Sequence, residues 1–332
     1  MSDARTTALI FGISGQDGAY LARLLLEKGY AVHGTSRDAE VAGFKTMDAV
    51  GIRDRVSVHS AALTDFRSTL QVIARVQPQE IYNLAGQSSV GLSFQQLVET
   101  LESVATATLN VLEAIRFLGG DIRFYNAGSS ECFGDTGGHA ANEETPFRPK
   151  SPYGVAKAAA YWRVANYRES YGLYACSGIL FNHESPLRPA RFVTRKVAMA
   201  AARIADGSSE SLTLGDLSIR RDWGWAPEYV EAMWAMLQQP VADDSVIATG
   251  KLSGLDDFVA EAFSAVGLEW KDHVRQEQSL YRPSEIHAGF GDPAKAARSL
   301  GWKARTGMPE VATRMTLYEL AHLRGEPAES LL

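Results

Sequence analysis

Thr7-Ala8-Leu9-Ile10-Phe11-Gly12-Ile13-Ser14-Gly15-Gln16-Asp17-Gly18 decides the reading of this chain. The run from Thr7 to Phe11 is apolar and short, as a buried parallel strand requires. Gly12, Gly15 and Gly18 then recur every three residues, and Tyr20 to Lys28 continues with helical periodicity. A strand, a bare glycine turn and a helix start make an anion site. Backbone can approach a dinucleotide pyrophosphate closely there, and the helix N-terminus faces it. The spacing differs from G-x-G-x-x-G, and a glycine-rich turn without a ligand is the alternative.

Working outward, Ala31-Val32-His33-Gly34 reads as a second strand with Arg37 just past its end. A guanidinium there suits the extra phosphate of NADP, with NAD as the alternative cofactor. Val56 to His59 and Glu80 to Ala85 read as further strands, with a helix between them over Ser68 to Val76. Ala85-Gly86-Gln87-Ser88 follows the second of these, and its small residues would let a cofactor lie against backbone. Leu97 to Phe117 reads as one long helix, and Ile122 to Ala127 as the next strand. The alternation predicts an α/β fold with a doubly wound parallel sheet of Rossmann type.

Ser129, Ser130 and Glu131 would sit at the C-terminal end of that last strand, where open α/β sheets place ligands. Downstream, Ser151 can cap a helix that begins at Pro152 and runs from Tyr153 to Ser170. Tyr153 and Lys157 then share one helix face. A free phenol has a pKa near ~10, too high for a base at neutral pH. The ammonium and the helix start both favour the phenolate, and lowering the pKa by about three units needs roughly 4 kcal/mol. Tyr153 could thus accept a proton from a substrate hydroxyl, with Ser129 assisting. A Tyr and a Lys four apart are more often packing or surface residues, and it is the upstream context that favours chemistry.

Composition sets the outer bounds. The chain has 332 residues, 45% hydrophobic and 22% charged, which suits one large α/β unit or two domains sharing a cleft. A net charge of −6 argues against a nucleic-acid or anionic-membrane surface. The two cysteines, Cys132 and Cys176, form neither a disulfide framework nor a metal site. With no apolar leader or membrane-length segment, the expectation is a cytoplasmic protein without a metal.

The pattern changes after Ile179-Leu180-Phe181. Arg188, Arg191, Arg195, Lys196, Arg220 and Arg221 concentrate positive charge that could grip a diphosphate, or form a solvated basic face. Trp223, Trp225 and Trp234 are expected to pack between domains, as core rather than base-stacking residues. Asp292-Pro293 should open a helix, and the residues from Gly325 should fray. The expected division is 1–180 with about 225–250 for the dinucleotide, and 181–224 with 251–332 for substrate.

Three longer motifs carry a resemblance: Gly12 to Gly18, Tyr82 to Ser88, and Gly178-Ile179-Leu180-Phe181-Asn182-His183-Glu184-Ser185-Pro186. Phe192-Val193-Thr194-Arg195-Lys196, Arg221-Asp222-Trp223-Gly224 and Tyr229 to Trp234 extend it. The chain resembles the GDP-mannose 4,6-dehydratases of the extended short-chain dehydrogenase/reductase superfamily. That resemblance implies a redox-neutral lyase acting on a GDP-sugar. Tyr153, Lys157 and Ser129 would take the 4-hydroxyl proton as hydride leaves C4. Glu131 would remove the C5 proton and then protonate the departing 6-hydroxyl. The resemblance further implies that Gly12, Gly15, Gln16, Asp17, Gly18, Arg37 and Leu63 line the cofactor. Leu84, Ala85, Gln87, Ser88, Tyr153, Lys157, His183 and Arg188 would join them. Ser88, Ser129, Ser130, Glu131, Asn182, Lys196, Arg221, Arg282 and Glu285 would touch the sugar nucleotide. A homodimer or homotetramer is implied as well.

The departures fall mostly on the cofactor side. The family has threonine where Ser129 stands, and serine keeps the hydroxyl. It has a second arginine where Asp38 stands, aspartate at Ala62 and tyrosine near Glu99, which bears on NADP preference and on the tetramer. Gly128-Ser129-Ser130-Glu131 also resembles reductases that act on the same keto sugar, so a 4-ketoreductase or epimerase is the alternative. A cofactor-binding sensor is a third reading, against which the full Ser129, Glu131, Tyr153 and Lys157 set speaks.

Overall fold

The computed structural model describes residues 5–332, so the first four residues of the expected dinucleotide unit lie outside it. Six strands open the fold: β1 (Thr7–Phe11), β2 (Ala31–Ser36), β3 (Ser57–Ser60), β4 (Glu80–Asn83), β5 (Arg123–Ala127) and β6 (Ala175–Leu180). With a seventh strand at Ser245–Ile247 they form one parallel sheet in the order Ser245–Ile247, β6, β5, β4, β1, β2, β3. The order reverses between β1 and β4. A crevice opens there beyond the strand ends, and this is where such sheets take ligands.

Period-two alternation along β1 explains the two cores. Ala8 and Ile10 face one cluster, with Leu21 and Leu25 of the Gln16–Glu27 helix and Tyr229 and Met233 of the Ala226–Leu237 helix. Leu9 and Phe11 face the other, with Ile73, Val111, Ile115 and Val164 from helices on the opposite side. Each such side chain contributes about 1.5–3 kcal/mol when fully buried. Phe11 pairs with Asn83, so Gly12 emerges beside Leu84 and Ala85.

The remaining residues build a second core from Val197, Trp223, Trp225, Phe258, Phe263, Val311 and Met315. Short ladders accompany it: Asn182–Glu184 with Trp223–Trp225, Leu212–Leu214 with Val274–Gln276, and Arg220–Arg221 between Ser253–Gly254 and Ala288–Gly289. Asp222 fastens this unit to the sheet. Its buried carboxylate accepts from Thr249 N (2.9 Å), Thr249 Oγ1 (2.7 Å), Gly250 N (2.9 Å) and Gly291 N (3.4 Å).

Four expectations are corrected. The predicted Leu97–Phe117 helix is interrupted: α-helix at Leu97–Leu101 and Ala107–Leu118 flanks a π turn at Glu102–Thr106. Trp234 is not an interdomain residue. It donates to Tyr30 Oη at 3.1 Å and carries Lys28 Nζ 3.6 Å above its ring. Trp223 and Trp225 lie in the second core. The tail does not fray at Gly325, which takes φ +66 as a left-handed cap; a 3-10 turn follows at Glu329–Leu331, and Leu332 packs on the first core. The Asp292 cap is present, its Oδ1 accepting from Ala294 N at 2.9 Å.

Candidate active site

The glycine turn is built as a cradle. Gly12 has φ +87, and a Cβ there would lie 2.9 Å from Ala85 N. At Gly18 a Cβ would strike Gly12 O at 2.4 Å. The Gln16–Glu27 helix has no side-chain cap at Gly15, so its first N–H groups are presented bare to the crevice. The residues present therefore fit a dinucleotide pyrophosphate.

Gln16 and Asp17 turn toward the other half of the molecule. Gln16 Nε2 donates to His183 O (3.1 Å), and Ser185 Oγ donates to Gln16 Oε1 (2.8 Å). His183 Nε2 stands 2.9 Å from Asp17 Oδ2 and Nδ1 stands 2.7 Å from Phe181 O, while the ring stacks on Tyr229 at 4.7 Å. Burial opposes charge on both groups, yet the pairing prevails. Asp17 is held at about 2, and His183 is raised above the usual imidazole value.

Ser129 and Glu131 leave the end of β5, as the sequence predicts. Ser129 Oγ accepts from Glu131 N at 3.3 Å and starts a 3-10 turn over Ser130–Cys132. Ser151 Oγ accepts from Gly154 N at 3.1 Å, capping the Pro152–Tyr171 helix with proline at its first position. A Cβ on Gly154 would meet Glu131 O at 2.7 Å, so the helix start lies directly against the turn that carries Glu131. Tyr153, Lys157 and Ser129 are all buried. Lys157 Nζ donates to Ala127 O at 2.7 Å and stands 5.7 Å from the Tyr153 ring centroid.

One electrostatic expectation is reversed. Burial pushes the Tyr153 phenol above its ordinary value, and a hydrogen bond with Ser129 only partly opposes it. Burial likewise brings Lys157 down to about 8. At Tyr153 desolvation also outweighs the positive charge of Arg188 nearby. Glu131 is also raised by burial, with Arg221 and then Arg282 pulling it back.

Glu131 shares a cleft with Ser130, Phe133, Phe181 and Arg221. Arg221 is buried, its Nη2 2.8 Å from Glu285 Oε1, and Arg282 Nη1 reaches the same oxygen at 3.4 Å. Arg188 Nε pairs with Glu184 at 3.2 Å and its guanidinium lies on Phe192, near enough to Asp17 and Tyr153 to favour their charged forms. Other predicted residues diverge. Arg195 points away to a buried pair with Glu319 at 2.6 Å. Lys196 Nζ donates to Thr213 O, while Ser88 and Arg37 are exposed in loops and Asn182 is half-buried. Leu63 and Leu84 pack on the cores, with Leu63 O accepting from Asn110. Asp222, Ser185 and Glu184 escaped the sequence reading, although each lies within a motif already quoted. Among the described residues no group of side chains could hold a metal ion.

The comparisons fit this geometry. A family described as GDP-mannose 4,6 dehydratase matches residues 9–315. GDP-mannose 4,6 dehydratase 1 of Arabidopsis thaliana is 44% identical over 321 residues, covering 94% of this chain and 89% of that one. GDP-mannose 4,6 dehydratase of Homo sapiens is 41% identical over 353 residues, covering 98% and 95%. Among solved structures, the dTDP-glucose 4,6-dehydratase DesIV from Streptomyces venezuelae with NAD and TYD bound superposes at TM-score 0.85 with 19% identity. That alignment covers 96% of this chain and 98% of the other, and it shows the shared fold. By its family match and by the near-complete span of these relatives, the chain belongs to the GDP-mannose 4,6-dehydratase family.

Proposed function

We propose that the protein converts GDP-mannose, or a close GDP-sugar, to the GDP-4-keto-6-deoxy sugar and water. The observation that carries this reading is the convergence of Ser129, Glu131, Tyr153 and Lys157 at the mouth of β5, with Arg221 facing Glu131. A nicotinamide cofactor bound in the crevice supplies an acceptor for the hydride of C4 and later a donor to C6. Tyr153 holds the proton of the 4-hydroxyl, with Ser129 fixing the oxygen. Lys157 donates to Ala127 O, keeping its charge beneath the phenol. Glu131 carries the C5 proton away from carbon and delivers it to the departing 6-oxygen, and the proton released from the 4-hydroxyl balances the one returned to C5 as hydride reaches C6. A carboxyl raised by burial suits both halves of that task.

NADP is the proposed cofactor. Asp38 turns its carboxylate back onto the N–H groups of Glu40 (3.0 Å) and Val41 (3.2 Å), and Arg37 forms no ion pair among the described residues. The guanidinium is therefore available to a 2′-phosphate. The proposed division of labour gives 1–180 with about 225–250 to the dinucleotide, and 181–224 with 251–332 to the sugar nucleotide. Exposed Leu97, Val98, Leu101, Val155 and Trp162 lie on two helices packed together, an apolar face suited to a second copy as a homodimer. No helix among the described residues is long and apolar enough to cross a membrane, and the two buried free thiols support a cytoplasmic setting.

Incubation with GDP-mannose, without added reductant, tests the reading: a product lighter by one water is expected. Stoichiometric NADPH consumption instead would assign a 4-ketoreductase. Glu131→Gln should bind GDP-sugar and cofactor but release no water; unchanged dehydration would remove Glu131 from the mechanism.

A further inference from the structure

The π turn at Glu102–Thr106 has an identifiable cause, and it lies in the crevice wall. Gly86 takes φ +124, and a Cβ there would be 2.9 Å from Ser103 O and 3.0 Å from Val104 Cγ2. The chain leaving β4 thus presses against the turn. Gln87 N donates to Ser103 Oγ at 3.2 Å. Gln87 Nε2 donates to Thr100 Oγ1 at 3.1 Å and to Ser89 O at 2.9 Å, and Gln87 Oε1 accepts from Ser89 N. Both amide donors of Gln87 are therefore occupied within the protein. On the far side of the turn, Asn83 Nδ2 donates to Thr108 Oγ1 at 3.1 Å, and Thr108 Oγ1 donates to Val104 O at 2.7 Å.

This fastening touches both halves of the site. Gly12 packs directly on the backbone of Leu84 and Ala85, so the position of Leu84–Ser88 fixes one edge of the dinucleotide cradle. Val104, in the π turn, packs with Ala156 and Ala160 of the helix that carries Tyr153 and Lys157. π turns concentrate at functional sites because they re-aim a helix face locally.

We propose that Gln87 is a positioning residue rather than a cofactor contact. Its side chain and amide bind the crevice wall to the π turn, so that the cradle and the catalytic helix share one spacing. The inference rests on the dehydratase reading for its consequence in turnover, but its binding readout stands apart from it.

The test compares Gln87→Met, Thr100→Val and the double variant. NADP affinity is titrated by fluorescence on the protein freed of nucleotide, and kcat and KM are measured with GDP-mannose. Thr100→Val should weaken NADP binding about five-fold, the effect of one lost hydrogen bond, and Gln87→Met by at least as much because it also loses both bonds to Ser89. The double variant should be no worse than Gln87→Met, because both substitutions remove the Gln87–Thr100 link. The loss in turnover should fall on kcat with KM for the sugar nucleotide unchanged, whereas a purely structural role would lower thermal stability and leave both constants of the folded fraction alone. Thr100→Val with wild-type NADP affinity beside a weakened Gln87→Met would assign Gln87 a direct contact and overturn the proposal. Simple additivity of the two losses would overturn it too, as would unchanged affinity in both. If Gln87→Met fails to fold, Gln87→Glu replaces it in the same cycle with the same expected outcome, because it keeps the side chain's size and loses the Nε2 donor to Thr100. Failure of wild-type turnover on GDP-mannose would strike the dehydratase reading and leave the binding cycle interpretable.

Discussion

Asp17→Asn probes the contact that joins the glycine turn to the second unit. The carboxyl is held at about 2 against an ordinary 3.8, and a shift of that size corresponds to about 2.5 kcal/mol of stability at neutral pH. An unfolding entropy proportional to 332 residues converts this to a melting shift of about 3–4 °C. The sign is set by both partners. The depressed Asp17 contributes stability present above its unfolded value and lost as pH falls through about 2. His183 is raised, so its contribution is complete below the unfolded imidazole value near 6.5 and is lost as pH rises through the folded one. The deficit of the variant should therefore be largest between about pH 4 and 6.5 and shrink toward alkaline pH. There the neutral ring can accept from the new amide. Scanning calorimetry of both proteins at pH 5 and pH 9, without nucleotide, reads the difference. An equal deficit at both values, or none at pH 5, would refute the charge pairing and leave only a neutral hydrogen bond.

Gly12→Ala should cost about 1–2 kcal/mol for the left-handed backbone alone. Because its Cβ would displace Ala85, NADP affinity should fall at least about ten-fold by titration. Lys157→Met should lower kcat by about 100-fold or more. Lys157 is held down to about 8, so the wild type gains stability relative to this variant as pH rises from 8 toward 10.5; melts across that range should show about 3 kcal/mol. Trp162→Glu places charge on the exposed apolar face, and if that face joins two copies as proposed, sedimentation should show a smaller species than the wild type with unchanged circular dichroism.

Local signals were legible in the chain wherever a residue acts through its own backbone. Glycines at 12 and 18 announce a turn because no other residue fits there, and Ser151-Pro152 announces a helix because cap and first residue are adjacent. What escaped was decided by partners far away in sequence. Leu97 to Phe117 has helical periodicity throughout, yet a π turn interrupts it where Gly86 and Gln87 of a neighbouring loop pack against Ser103. The arginines after Phe181 look alike in sequence, but Glu184, Glu285 and Glu319 sort them into different places. Only Arg221 and Arg282 remain near Glu131. Asp17 and His183, 166 positions apart, each look like a ligand-facing polar residue until the fold sets them against one another.

The two candidate proton carriers owe their properties to the same burial and differ through their partners. Burial raises the phenol of Tyr153 and the carboxyl of Glu131 alike, so neither ionises as it would in water. Beneath the phenol lies Lys157, whose ammonium is tied to Ala127 O and softened to about 8. Beside the carboxyl lies Arg221, whose guanidinium stays charged and is braced by Glu285. The phenol is pulled down by Arg188 but pushed up by Glu131, whereas the carboxyl has both Arg221 and Arg282 pulling it down. On the proposed mechanism these two acids, held by one strand end and one helix start, would act in turn: Tyr153 at oxidation of C4 and Glu131 at loss of water.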